Sequence, residues 1–226
     1  MEIEKISERF NQTASNYDKQ RRFFIPCFDD YYRTSISFLS GCRSDFKSVL
    51  DLGAGTGLLT KYMFEKFPSA FFTLVDVSEQ MLVIAGSRFI NQENFEYIIS
   101  DYSIKLPEKK FDLIASALSI HHLEDDSKMN LYSMIYENLE DGGYLINLDQ
   151  FNSDSEFINE NYNKWWYQYI INSSLNEMDR ESWLKRRELD RENTIDQTKF
   201  MLKKAGFKHV ECIYSFMKFG VILAVK

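Results

Sequence analysis

The chain has 226 residues, 44% of them hydrophobic and 27% charged, enough for one sizeable α/β core and hardly for two full domains. Its formal net charge of −7 supplies no whole-molecule field for nucleic acid or an anionic membrane, so a small neutral or cationic ligand matches it better. No stretch approaches a membrane span, and the start, MEIEKI, has no signal-peptide core; three scattered cysteines (Cys27, Cys42, Cys212) without a C-x-x-C point to reduced thiols in a cytoplasm and away from a structural zinc.

In chain order, Ile3, Ile6, Phe10, Phe23, Phe24, Phe28, Tyr31 and Tyr32 recur at spacings near three and four and predict a helical segment over 1–40, broken by a polar stretch at 11–16 and by Pro26. The apolar run 48–52 ends in glycines and reads as a buried strand. A helical face follows from Gly57 to Phe67, stopped by Pro68. Residues 71–76 are a second strand, after which Ser78 caps a helix with Met81, Leu82 and Ala85 inward. Strands are predicted at 95–100, 111–118 and 144–148, with a helix over 127–139 stopped by Asp141, Gly142 and Gly143.

Over 152–190 the rhythm changes to polar and aromatic helices with no strand. Alternation then resumes with a helix over 194–205, closed by Gly206, and an antiparallel pair at 208–214 and 218–225. Such alternation implies βαβ units. The expected fold is α/β and Rossmann-like, a seven-stranded mainly parallel sheet with the last strand antiparallel, plus a helical cap. The whole chain reads as one domain: an N-terminal helical lid (1–40), a ligand-binding core (48–150), a helical insertion (152–190) over the carboxyl ends of the strands, and a final helix and hairpin (194–226).

The loop DLGAGTG over 51–57 lets the backbone approach a ligand closely. The dinucleotide fingerprint needs glycine at 58 or 60, where Leu58 and Thr60 stand. Asp51, two residues before the first glycine, repels a pyrophosphate but receives an ammonium. Asp76, at the end of the second strand, is placed for ribose hydroxyls. Asp101 follows the third strand and suits an adenine amino group, with Tyr102 beside it. Singly, each acid is as readily a turn or cap residue; three at successive strand ends beside this loop form a pattern.

On these residues the sequence resembles the class I S-adenosylmethionine (SAM)-dependent methyltransferases. LDLGAGTG (50–57) matches the family's first motif, VDVSEQML (75–82) its ribose motif, Ser100-Asp101 the adenine-side acid, FDLIASALSIHHL (111–123) the fourth-strand motif and DGGYLI (141–146) the fifth. The likeness covers about 48–150 and resumes at 194–226. It implies SAM as cofactor, held by Asp51, Gly53, Ala54, Gly55, Asp76, Val77, Met81, Asp101, Tyr102 and Ala117. FNQTASNYD (10–18), followed by Arg21, Arg22, Ile25 and Pro26, is similar to the small-molecule branch, which includes carboxy-SAM synthase. By that likeness Tyr17 and an arginine, Arg22 before Arg21, close over the methionine end.

Methyl transfer from a sulfonium needs an aligned nucleophile and exclusion of water. His121 and His122 are the candidate bases or acceptor-orienting groups. The acids Glu124, Asp125 and Asp126 read as a helix N-terminus, so no metal is expected. Trp165, Trp166, Tyr169 and Arg187 are the candidate acceptor contacts; a lid helix packing its rings on the core is the plainer account of the aromatics. The resulting expectation is a cytoplasmic small-molecule methyltransferase, with a homodimer left open. Its rivals are a carboxy-SAM synthase-like enzyme, a tRNA-modifying enzyme and a non-catalytic SAM-binding protein.

Overall fold

A computed structural model describes residues 17–226. Helix α1 (Tyr17–Phe24) leads through a π-type turn (Asp30–Thr34) into α2 (Ser35–Cys42). Then follow β1 (Ser48–Leu52), α3 (Leu58–Phe64), β2 (Phe71–Asp76), α4 (Glu79–Arg88), β3 (Phe95–Ile99) and β4 (Phe111–Ala117). A short 3-10 turn (Ile120–His122) precedes α5 (Asp125–Asn138) and β5 (Leu139–Gln150). The insertion is two helices, α6 (Glu156–Ile171) and α7 (Glu177–Arg187). The chain continues with α8 (Ile195–Ala205), β6 (His209–Phe216) and β7 (Phe219–Val225).

The seven strands form one sheet in the order β3-β2-β1-β4-β5-β7-β6, with β7 antiparallel to both neighbours. This is the expected architecture. β1 and β4 lie in the middle and are buried along almost their whole length, which is why their sequences read as continuous apolar runs rather than alternating ones. The crossover helices divide the core into two apolar layers, one on each face of the sheet.

Local signals stop and start the elements largely where the sequence places them. Ser78 accepts from Met81 N at 3.2 Å, Thr194 and Gln197 form a capping box, and Gly206 closes α8 at φ +115°. One boundary moves. β5 begins at Leu139 rather than 144, pairs Leu139 with Phe111, and resumes regular pairing only at Tyr144 opposite Leu113. Residues 140–143 bulge between those contacts, with Gly142 at φ +73°, so the glycines that stop the helix also carry an irregular strand start.

Helices α1, α6 and α7 pack together over the carboxyl ends of β4 and β5. Trp166 and Trp183 meet edge to face at 5.2 Å, Trp183 stacks on Phe24 of α1 at 6.3 Å, and Trp166 meets Phe219 of β7 at 5.2 Å. The Trp166 indole N–H donates to the Phe24 carbonyl at 2.7 Å. Apolar rings with one satisfied polar edge thus pin the insertion to the N-terminal helix.

Candidate functional site

The glycine loop turns sharply between β1 and α3, with Gly53, Gly55 and Gly57 all at positive φ. A Cβ at Gly53 would fall 1.9 Å from Ser119 Oγ, and one at Gly57 2.9 Å from Phe89, whereas a Cβ at Gly55 would meet nothing within 4 Å. The outer two glycines are therefore needed for packing, and the middle one leaves open space beside the backbone. That space is a cavity of about 20 Å³ bounded by Asp51, Gly53, Ala54, Gly55, Thr56, Ala117, Tyr32 and Arg21, among others.

Asp51 is 1% exposed. Its Oδ2 accepts from Thr60 Oγ1 at 2.5 Å, while Oδ1 is buried with no hydrogen-bond partner among the described residues. Burial pushes its carboxyl up to about 7 against the Thr60 hydrogen bond. Asp76 accepts from the backbone N–H groups of Gly55 and Ser78, each at 2.8 Å, so it ties the loop to the start of α4. Burial raises its carboxyl as well. Asp101 is half-buried and accepts from Ser103 N and Oγ. Tyr102 is buried and shares a 2.6 Å hydrogen bond with Ser119. Met81 is buried behind the Ser78 cap, and Val77 is partly exposed at the same strand end.

Helix α1 roofs this loop. Asp18 accepts from Thr56 Oγ1 at 2.6 Å and pairs with Arg88, whose Nε donates to the Thr56 carbonyl. The sequence favours Arg22 as the inward arginine, whereas the structure turns Arg22 outward and Arg21 toward the cavities. Arg22 is 53% exposed, makes two hydrogen bonds to Asp29 at 2.7 and 3.0 Å and lies over the Phe28 ring. Arg21, one residue and about 100° earlier on the helix, is half-buried and lines both the loop cavity and a second cavity beyond it. Burial, and behind it the charge of Arg186, lowers Arg21 to about 10. The side chain of Tyr17 lies outside the described residues.

The second cavity, of about 50 Å³, is lined by Arg21, His121, His122, Trp166, Arg186 and Asp190 among others. Neighbouring residues at the end of β4 serve the two cavities, Ala117 facing the first and Leu118 the second. Leu118 holds φ +54°, a costly angle for a branched side chain, kept by its N–H donating to the Leu148 carbonyl at 2.8 Å. Of the four expected acceptor contacts, Trp166 lines this cavity and Arg187 borders it, stacked on Trp166 at 4.4 Å and donating to Gln150. Trp165 and Tyr169 do not. They stack on each other at 5.5 Å on the exposed face of α6, because only the face carrying Trp166 and Ile170 turns inward.

His121 Nδ1 is hydrogen-bonded to Asp149 Oδ1 at 2.5 Å, and its backbone N–H donates to Asp149 Oδ2 at 3.1 Å. Its Nε2 and the Nδ1 of His122 both face Asp190 Oδ1 at 3.4 Å. Burial opposes a charge on His121, but Asp149 and Asp190 outweigh it and raise the group to about 10. Burial and the charge of His121 lower His122. Asp190 reaches this position on a strap held by two buried lysines. Lys128 binds the Arg191 carbonyl and Asn193, and Lys218 binds Glu192 and Asn152. Arg191 N also donates to the His121 carbonyl at 2.7 Å. The acids Glu124, Asp125 and Asp126 stay exposed at the first turn of α5, as the sequence implies.

Sequence reasoning passed over Asp149, Asp190 and Ser119. Asp149 had a readable signal: like the other three acids it lies at the end of an apolar strand, one residue beyond the run 144–148. Asp190 had none, since His121 and His122, which it faces, lie more than sixty residues away.

Residues 49–143 match the family model described as a methyltransferase domain. The chain is 27% identical over 141 residues to malonyl-[acyl-carrier protein] O-methyltransferase 1 of Ilyobacter polytropus, covering 62% of this chain and 50% of that protein. The chain thus spans about half the length of that relative. It is 23% identical to the carboxy-S-adenosyl-L-methionine synthase of Nautilia profundicola over 99% of this chain and 96% of that one. Among solved structures, DhpI with SAH superposes with a TM-score of 0.70 at 17% identity, covering 98% of this chain and 95% of DhpI. Human N-acetylserotonin methyltransferase with SAM gives 0.61 at 19%, covering 88% and 51%. The fold is that of these proteins. Among the described residues no helix is long and apolar enough to cross a membrane.

Proposed function

We propose that this chain, a member of the SAM-dependent methyltransferases through its domain at 49–143, binds SAM along Gly53–Gly57 and transfers the methyl group in line to a small acceptor in the second cavity. The observation that carries this reading is the Asp51 carboxylate. A buried oxygen without a partner is costly unless a ligand supplies one, and it borders the cavity where Gly55 leaves the backbone open. The α-ammonium of SAM is the group that fits.

The remaining residues divide the cofactor among them. Asp76 takes the ribose hydroxyls, Asp101 the adenine amino group, and Tyr102, Val77 and Met81 pack on the adenosine. Arg21 replaces Arg22 as the partner of the methionine carboxylate, with Tyr17 on the same helix. Helix α1 covers this stretch of the cofactor through the Asp18–Thr56 hydrogen bond and the Asp18–Arg88 ion pair. SAM, when bound, supplies the electrophilic methyl. The chain's own residues orient and exclude water: Ala117 and Leu118 stand between the two cavities, and Trp166 and Trp183 close the outer side. His121 and His122 orient the acceptor rather than take its proton, because both ring nitrogens of His121 and Nδ1 of His122 face carboxylates.

Arg186, half-buried beside Arg21 in the second cavity, suits an acceptor that carries an anionic group. It also favours a second reading, carboxy-SAM synthesis, which needs a cation for the added carboxylate. We read the whole chain as one methyltransferase domain acting in the cytoplasm, its three cysteines unbridged, with no nucleic-acid substrate. A homodimer is compatible with this reading. The test is incubation with methyl-labelled SAM and a metabolite extract, followed by mass spectrometry. Label in a small molecule supports the main reading, and a cofactor product gaining a carboxyl group supports the second. Tight SAM binding with no label transferred leaves a non-catalytic binding protein, and label in RNA overturns the acceptor class.

A further inference from the structure

His121 Nε2 and His122 Nδ1 stand 3.4 Å from one and the same oxygen of Asp190, beyond the usual N–H···O distance of about 2.7–3.2 Å. Nitrogen and oxygen ligands about 2.0–2.1 Å from a tetrahedral ion lie about 3.3–3.4 Å apart. All three donor atoms fall within 4.8 Å of one another, and the three side chains are 4%, 10% and 7% exposed. The other nitrogen of His121 is committed to Asp149 at 2.5 Å. That hydrogen bond fixes the ring and leaves Nε2 as its ligating atom, the carboxylate–histidine–metal arrangement common around bound ions. The sequence offers Glu124, Asp125 and Asp126 as the acids nearest the histidines. The fold brings Asp190 instead, on the strap anchored by Lys128 and Lys218.

We propose that His121, His122 and Asp190 form a binding site for one divalent transition-metal ion, with Asp149 as its outer support and an open coordination position toward the second cavity. Two imidazoles and a carboxylate suit Zn²⁺ first and other first-row ions such as Co²⁺ or Fe²⁺ next. The two carboxylates, Asp149 and Asp190, balance the ion's charge, and Arg187 approaches Asp190 at its other oxygen, 3.8 Å away. His121, His122 and Asp190 all line the cavity, so an ion there would meet an oxygen or sulfur of the acceptor directly. That use of the ion rests on the methyltransferase reading; binding of the ion does not.

The experiment is metal titration of the full chain after removal of metal by chelator, with no SAM present. The account expects one Zn²⁺ per chain, measured by competition with a chromophoric chelator. It also expects Co²⁺ to give the visible absorption bands of a low-symmetry four- or five-coordinate site. His122→Ala and Asp190→Asn should each weaken Zn²⁺ at least 100-fold, and Asp149→Asn about 10–100-fold. Circular dichroism of each variant establishes that it is folded, and the Co²⁺ spectrum of the unmodified chain requires no variant at all. Failure of the unmodified chain to bind Zn²⁺ stoichiometrically at micromolar concentration overturns the site and leaves a metal-free His–Asp cluster. Binding unchanged in folded His122→Ala overturns it equally. Either result stands apart from the SAM titration, whose failure would sink the methyltransferase reading instead.

Discussion

Replacing Asp51 with asparagine should stabilise the ligand-free protein while damaging cofactor binding. The Thr60 hydroxyl can still donate to an amide oxygen at that position, so the packing survives and only the charge is lost. Moving a buried carboxyl from 3.8 to about 7 costs about 4 kcal/mol at about 1.4 kcal/mol per pH unit. Below 3.8 the folded and unfolded chains both hold the proton, and there is no penalty. Between 3.8 and about 7 only the folded chain holds it, so the contribution to stability falls as pH rises, and the full penalty stands above about 7. Asp51→Asn should therefore melt close to the natural protein near pH 4 and about 8 °C or more above it at pH 8, at about 2–4 °C per kcal/mol for a chain of this size. SAM affinity should drop about 30-fold or more, the loss of a hydrogen bond between charged groups worth about 2 kcal/mol. Thermal melts at half-unit steps of pH, paired with calorimetric SAM titrations, check both halves. A variant that melts lower at every pH, or binds SAM as tightly as before, would refute the reasoning.

Arg21→Ala should raise the KM for SAM about 10- to 100-fold, whereas Arg22→Ala, removing only an exposed pair with Asp29, should leave it within about twofold; steady-state kinetics on both variants separates them. Gly53→Ala forces a Cβ to 1.9 Å from Ser119 Oγ at φ +64°, so its melting temperature should fall by about 4 °C or more, checked by calorimetry. Trp166→Ala should destabilise the cap by about 3 kcal/mol, while Trp165→Ala on the outer face costs less than about 1 kcal/mol. Denaturant unfolding monitored by circular dichroism reads that difference.

The sheet was legible in the sequence because its central strands are buried on both faces and appear as short apolar runs ended by glycine or aspartate. The places of Asp51, Asp76 and Asp101 beside the glycine loop were legible for the same reason: they belong to strand ends whose positions periodicity fixes. The acceptor half was not. Arg21 and Arg22 are adjacent in a helix whose burial is set by tertiary contacts with Thr56 and Arg88, so their order could not be read locally. Trp165 and Trp166 pose the same difficulty, because an aromatic at every turn of α6 does not say which stripe faces the core. Asp190 joins His121 and His122 only through the strap held by Lys128 and Lys218, a long-range arrangement without a local pattern.

Calorimetric titration of the purified chain with SAM, beside its Asp76→Ala variant, tests the central claim most directly. The account predicts one SAM per chain and a loss of at least about 100-fold in the variant, since the proposed ribose contact would go together with the hydrogen bonds by which Asp76 holds Gly55 and Ser78 in place. No binding of SAM to the natural chain at millimolar concentration, or equal affinity in a folded Asp76→Ala protein, would contradict it.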